Sequence, residues 1–169
     1  MDVLSNGDEQ VLITRKGYNV RCRELERLEN DERRRLSELL RAARSDGDVD
    51  DNPPLLELLE EQAQLELRIA KLAAELAVAK VAPPPRGGTV GIGSVVRVRD
   101  LGTRKTFEYE LVGPLEADPA NGRVSMVAPI GRALLGQRRG ARIEVATPRG
   151  TVVLEVVAVG GRASVRAAA

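Results

Sequence analysis

Two long helix-forming runs flanking a ten-residue acidic turn constrain this chain more than any other feature. The turn is Ser45-Asp46-Gly47-Asp48-Val49-Asp50-Asp51-Asn52-Pro53-Pro54. Before it, Tyr18, Cys22, Leu25, Glu29, Glu32, Leu36, Leu39 and Ala43 recur at alternating four- and three-residue steps. That spacing puts them on one stripe of a helix, interrupted by the acids at 29 and 32. After the turn, Leu55, Leu58, Gln62, Leu65, Ile69, Leu72, Leu76 and Ala79 keep the same alternation with one polar member. Two such stripes bury each other when the helices pair, and so short a connection makes the pair antiparallel. Gly47 can take the left-handed conformation that ends a helix, Asn52 is a good N-cap, and Pro53 suits a first helical position. The expected arms run from Thr14 to Arg44 and from Pro53 to Val81, each roughly 45 Å long at about 1.5 Å per residue.

Four aspartates, Asp46, Asp48, Asp50 and Asp51, sit at the end of this rod, with only Arg41 and Arg44 close in sequence to balance them. Asp, Gly and Asn are also what a solvated turn uses. Carboxylates so crowded are nevertheless suited to a hard divalent cation, above all one that is partly coordinated by something else. The arms share charge unevenly. The first carries Arg21, Arg23, Arg27, Arg33, Arg34, Arg35, Arg41 and Arg44, whereas the second is acidic at Glu57, Glu60, Glu61, Glu66 and Glu75. Ion pairs across the hairpin are the expectation for most of these, each contributing about 0.3 kcal/mol when exposed.

Composition removes several function classes. The 169 residues, 43% hydrophobic and 30% charged, suit one or two small domains. A net charge of +1 gives no overall field toward nucleic acid or membrane. The single cysteine rules out an internal disulfide, and the lack of histidine removes histidine-dependent catalysis and leaves no zinc ligand set. The chemistry left is carboxylate chemistry. Aromatic residues are 2% of the chain, too few for the stacking platforms of single-strand nucleic-acid binders. No apolar run approaches the ~18 residues of a membrane span. The segment Met1 to Val11 lacks the basic start of a signal peptide, so the expected location is the cytoplasm.

The chain divides by pattern. Residues 1–11 are polar and aperiodic, an expected disordered extension, and 12–82 form the coiled-coil hairpin with its acidic tip at 46–51. Pro83-Pro84-Pro85-Arg86-Gly87-Gly88 stops the second helix and makes a stiff linker at 83–88. From there the period changes to two. Val95 to Arg99, Phe107 to Leu111, Arg123 to Val127, Ala141 to Thr147 and Thr151 to Val159 pattern as strands, the last two joined through Pro148-Arg149-Gly150. Pro129 to Gly136 begins with proline and stops with glycine, as a short helix does. Residues 89–160 therefore make a small α+β domain, followed by a tail at 161–169, and the whole is a two-domain α+β chain.

Three stretches together resemble a known family. The tip, Ala43-Arg44-Ser45-Asp46-Gly47-Asp48-Val49-Asp50-Asp51-Asn52, is similar to the Ala-Arg-x-x-Gly-Asp-Leu-x-Glu-Asn motif of the bacterial GreA/GreB transcript cleavage factors. Ala43, Arg44, Gly47, Asp48 and Asn52 match, Asp51 stands for the second acid, and Pro53-Pro54-Leu55 replaces the usual Ala-Glu-Tyr. Leu12-Ile13-Thr14-Arg15-Lys16-Gly17 resembles the family's opening Leu-Thr-x-x-Gly pattern. Ser125-Met126-Val127-Ala128-Pro129-Ile130-Gly131-Arg132-Ala133-Leu134-Leu135-Gly136 resembles its Ser-x-x-Ser-Pro-Ile-(Ala or Gly)-x-x-Leu-Ile-Gly signature, with Ala128 for the second serine. Leu111-Val112-Gly113 and Thr147-Pro148-x-Gly150 also match.

The resemblance implies an N-terminal antiparallel coiled-coil hairpin followed by an FKBP-like domain. It implies a monomer that is not itself an enzyme and whose partner is bacterial RNA polymerase. The C-terminal domain would dock through Ser125, Pro129, Ile130 and Gly131 while the hairpin enters the secondary channel. Asp48 and Asp51 would help hold a Mg²⁺ shared with the polymerase site, and Arg44 would contact the nascent RNA 3′ end. The polymerase would then cleave its own backtracked transcript. Two other readings stand beside this one: a channel inhibitor of the Gfh type, favoured by the extra Asp46 and Asp50, and a structural coiled-coil adaptor whose tip is an ordinary turn.

Overall fold

The computed structural model describes residues 10–45, 53–148 and 150–160. They form two compact units, one within residues 16–79 and the other of residues 10–15 with 80–160. Three residues, Val11–Ile13, make strand β1, which pairs with the equally short β2, Ala79–Val81. The second arm therefore leaves the helix at Val78, three residues before the expected end. Likewise Val11 opens a strand instead of closing an extension, while residues 1–9 and 161–169 lie outside the described residues.

The helical unit consists of α1 (Arg15–Arg27), a wide π turn (Leu28–Glu32), α2 (Arg33–Ser45) and α3 (Pro53–Val78). On α3 the expected stripe is the observed one, with Leu55 and Ile69 buried and Leu58, Gln62, Leu65, Leu72 and Leu76 half-buried. On the first arm it holds for Tyr18, Cys22, Leu25, Leu36 and Ala43 and slips by one residue at two positions. Leu28 is buried and Glu29 exposed, and further on Leu40 is buried while Leu39 is exposed. The π turn explains the slip. The Arg33 N–H bonds to the Leu28 carbonyl, five residues back, which adds a residue to one turn and rotates the stripe. Leu28, and not the acid at 29, then faces the partner arm.

The second unit is an α+β fold built on a five-stranded sheet of order β5-β4-β3-β7-β6. Its strands are β3 (Val95–Asp100), β4 (Thr106–Val112), β5 (Arg123–Ser125), β6 (Arg142–Thr147) and β7 (Gly150–Gly160). The β4–β5 pair is parallel and the other pairs are antiparallel. The β6–β7 hairpin closes with Thr147 opposite Gly150, where the Thr147 hydroxyl donates to the Gly150 carbonyl at 2.6 Å. Between β3 and β7 the register skips Val157, a bulge past which Val159 packs on the same core as Val156 while Ala158 is buried with Val95. Helix α4, Pro129–Leu134, covers one sheet face. The core there is Val90, Val96, Val98, Leu111, Leu134, Ile143, Val145, Leu154 and Val156. β5 ends at Ser125, two residues before the expected Val127, because 126–128 turn into α4.

Candidate functional site

The tip end of the hairpin is fixed by aliphatic packing between its two arms. Leu36, Leu40 and Leu55 are buried together, with Ala43, Leu58, Leu59 and Leu65 against them. Leu55, at 1% exposure, anchors the first turn of α3 onto the end of α2. Arg44 projects from the last turn of α2 and is exposed. Asp48 and Asp51, with Asp46 and Asp50, lie outside the described residues. Among the described residues no group of three or more metal-ligating side chains comes together.

Ion pairs cross the hairpin in its middle. Arg33 forks onto Glu66, with Nε donating to Oε1 at 2.8 Å and Nη2 to Oε2 at 2.6 Å. Arg68 donates to Glu24 at 2.6 Å, and Arg21 reaches Glu75 at 3.4 Å. Around the π turn the charges alternate as Arg68, Glu24, Arg27, Glu32 and Arg35, each touching the next. Hydrogen bonding to Arg27 holds the Glu24 carboxyl below the usual carboxylate range, and Arg33 does the same for Glu66. Glu57, Glu60 and Glu61 join no ion pair among the described residues. The expected pairing thus holds along the middle of the hairpin.

The turn that enters α4 brings Ser125, Pro129, Ile130 and Gly131 together. Ser125 is buried at the end of β5. Its carbonyl accepts from the Ala128 N–H at 3.0 Å and its hydroxyl from the Val127 N–H at 3.3 Å. A Cβ on Gly131 would lie 1.9 Å from the Ser125 carbonyl oxygen, so the helix can start this close to the strand only with glycine there. Ile130 packs half-buried on the core, and Pro129 is exposed at the first helical position. Three of the four nominated residues thus shape the turn, and Pro129, Val127 and Leu135 are what it presents outward. Beside it runs an apolar groove of about 690 Å³ lined by Pro83, Pro84, Pro85, Val90, Ile92, Met126 and Leu135.

One charged centre escaped the sequence reading. The Glu116 side chain is 0% exposed. It accepts from the Thr14 N–H at 2.7 Å, the Thr14 hydroxyl at 2.6 Å, the Gly113 N–H at 3.4 Å and the Arg123 guanidinium at 3.1 Å. Thr14 was expected only as the start of the first arm; its hydroxyl reaches a partner 102 residues away, and no local pattern signals that.

Comparison with known proteins accounts for both units. The family descriptions "Transcription elongation factor, N-terminal" and "Transcription elongation factor, GreA/GreB, C-term" match residues 11–81 and 84–160. Transcription elongation factor GreA of Syntrophobacter fumaroxidans is 37% identical over 150 residues, covering 88% of this chain and 96% of that one. The chain belongs to the GreA/GreB family of transcription elongation factors. GreA of Clostridioides difficile is 36% identical over 152 residues, covering 89% of this chain and 96% of that one. Among solved structures, GreA factor homolog 1 of Thermus thermophilus is 30% identical and covers 90% of this chain and 99% of that chain, with a TM-score of 0.42. So low a score carries no structural argument. Within the family frame, the Ser125–Gly136 signature has a physical basis in the Gly131–Ser125 contact, and the opening Leu-Thr pattern in the Thr14–Glu116 bonds. Among the described residues no helix is long and apolar enough to cross a membrane.

Proposed function

We propose that this protein acts in the cytoplasm as a monomer on RNA polymerase, inserting the hairpin into the secondary channel and stimulating the polymerase to cleave backtracked nascent RNA. The observation that carries this reading is the tip sequence. Arg44, Gly47, Asp48 and Asn52 keep the family motif, with Asp51 as its second acid, in a chain that matches the family along both parts. The protein is then not an enzyme; it supplies groups to one.

Asp48 and Asp51 are the residues that would hold the shared Mg²⁺. Two carboxylates offer the hard oxygen donors Mg²⁺ takes but too few to bind it alone, which fits a metal mostly held elsewhere. When bound, the metal would supply charge neutralisation and an activated water for phosphodiester hydrolysis. This chain's own part would be to carry the two carboxylates in the stretch that joins α2 to α3, whose flanking ends the Leu36–Leu40–Leu55 cluster holds together. Arg44, four residues before Asp48 in sequence and exposed, would hold transcript phosphate. Docking falls to the C-terminal unit, where the exposed Pro129, Val127 and Leu135 beside the apolar groove offer the surface a partner can bury.

A second reading is favoured by a specific feature. Asp46 and Asp50 add acids to the motif, and Leu55, standing where the family has tyrosine, is spent on packing. Such a tip could occupy the channel and slow elongation, as Gfh-type relatives do. Adding the protein to backtracked elongation complexes separates the two. Shortened RNA supports the cleavage reading, and slowed elongation with intact RNA supports the inhibitor.

A further inference from the structure

A carboxylate with 0% exposed side chain is costly to bury unless every lone pair is used, and Glu116 has four donors on it, one of them a guanidinium. Two of the four come from Thr14, immediately before the first residue of α1. The same short stretch is held in two further ways. Ile13 is 0% exposed and its carbonyl accepts from the Ala82 N–H at 2.9 Å. The Leu12 carbonyl also lies so near Gly113 that a Cβ there would sit 1.9 Å from it. This is more fixing than three residues of β-strand at a chain end ordinarily receive.

We propose that Glu116 is a positioning residue. Its carboxylate locks Val11–Thr14 onto the Pro114–Glu116 turn, so that the chain enters the hairpin from a held anchor. The inference rests on the reading that the hairpin acts at a distance from where the protein docks. A metal-assisted reaction tolerates little misplacement of the groups that serve it, so loosening the stretch where the chain enters α1 lowers the effect of the tip.

The test is Glu116→Gln in the full chain, which keeps the size and places an amide NH₂ among groups that all donate. Amide hydrogen exchange on the free protein should show the Thr14 amide exchanging at least about tenfold faster, while the β3–β7 amides keep their protection. In cleavage assays the concentration giving half-maximal effect should stay within about twofold, while the effect at saturation falls several-fold, a split that loss of docking would not produce. Should the wild type inhibit instead of stimulating cleavage, the same split is read on elongation rate, so failure of the cleavage reading does not hide the outcome. Thr14→Val, which removes only the hydroxyl donor, should move both readouts in the same direction by less, and it decides the matter if Glu116→Gln unfolds the C-terminal unit. Unchanged Thr14 exchange in the variants would overturn the anchor. Faster exchange with an undiminished effect at saturation would leave Glu116 a core residue and overturn its positioning role.

Discussion

At the scale of single residues, the signature in the C-terminal unit is an account of close approach. Gly131 is there because the Ser125 carbonyl oxygen would lie 1.9 Å from any Cβ. Gly131→Ala should therefore cost about 2–3 kcal/mol by forcing α4 off the sheet. Thermal unfolding checks it, and an unchanged midpoint would contradict the contact. Arg44 makes the opposite case. It is exposed at the end of α2, so Arg44→Ala should leave stability within about 0.5 kcal/mol. Any loss of activity it causes then reports on transcript or polymerase and not on folding. The sequence alone pointed to both residues, but it could not separate their roles. A glycine forced by packing and an arginine left for a partner look alike until burial is known. Glu116 was not legible at all, because its value lies in bonds to Thr14, 102 residues away.

At the scale of elements, alternating apolar spacing read α3 correctly along its whole length and read the first arm at Tyr18, Cys22, Leu25, Leu36 and Ala43, but missed Leu28 and Leu40. The spacing argument assumes a constant turn, and the Leu28–Glu32 segment breaks that assumption with one wider turn. The register beyond it makes a sharp test. Leu40, 3% exposed, should cost about 2–4 kcal/mol when changed to alanine, and Leu39, 40% exposed, under about 1 kcal/mol. Circular dichroism melts of the two variants decide it, and the reverse order would restore the unbroken stripe. Strands β3, β4, β6 and β7 were legible because they alternate over five or more residues. The three-residue β1 and β2 are too short to show a period, and the end of the second arm was misread as helix for that reason.

At the scale of the whole molecule, the division of the chain differs from its order in sequence. Residues 10–15 belong with 80–160, so a C-terminal fragment beginning at the linker lacks β1 and leaves the buried Glu116 without its two bonds from Thr14. A fragment of residues 84–169 should keep its sheet by circular dichroism. It should melt below the same unit in the full chain, by about 2 kcal/mol or more of lost stability. Equal stability would mean that β1 contributes nothing. The central claim concerns the other end of the protein, where Asp48 and Asp51 are proposed to serve a metal held mainly by the polymerase. The most direct measurement is transcript cleavage on backtracked complexes across a Mg²⁺ titration, with binding followed in parallel, for Asp48→Asn, Asp51→Asn, Asp46→Asn and Asp50→Asn. Each substitution keeps size and turn preference while removing one anionic ligand. The account predicts that the Asp48 and Asp51 variants bind normally and lose cleavage by about a hundredfold or more, partly regained at high Mg²⁺, while the Asp46 and Asp50 variants stay within a few-fold of wild type. Undiminished cleavage in the Asp48 and Asp51 variants, or an equal loss in all four, would contradict it.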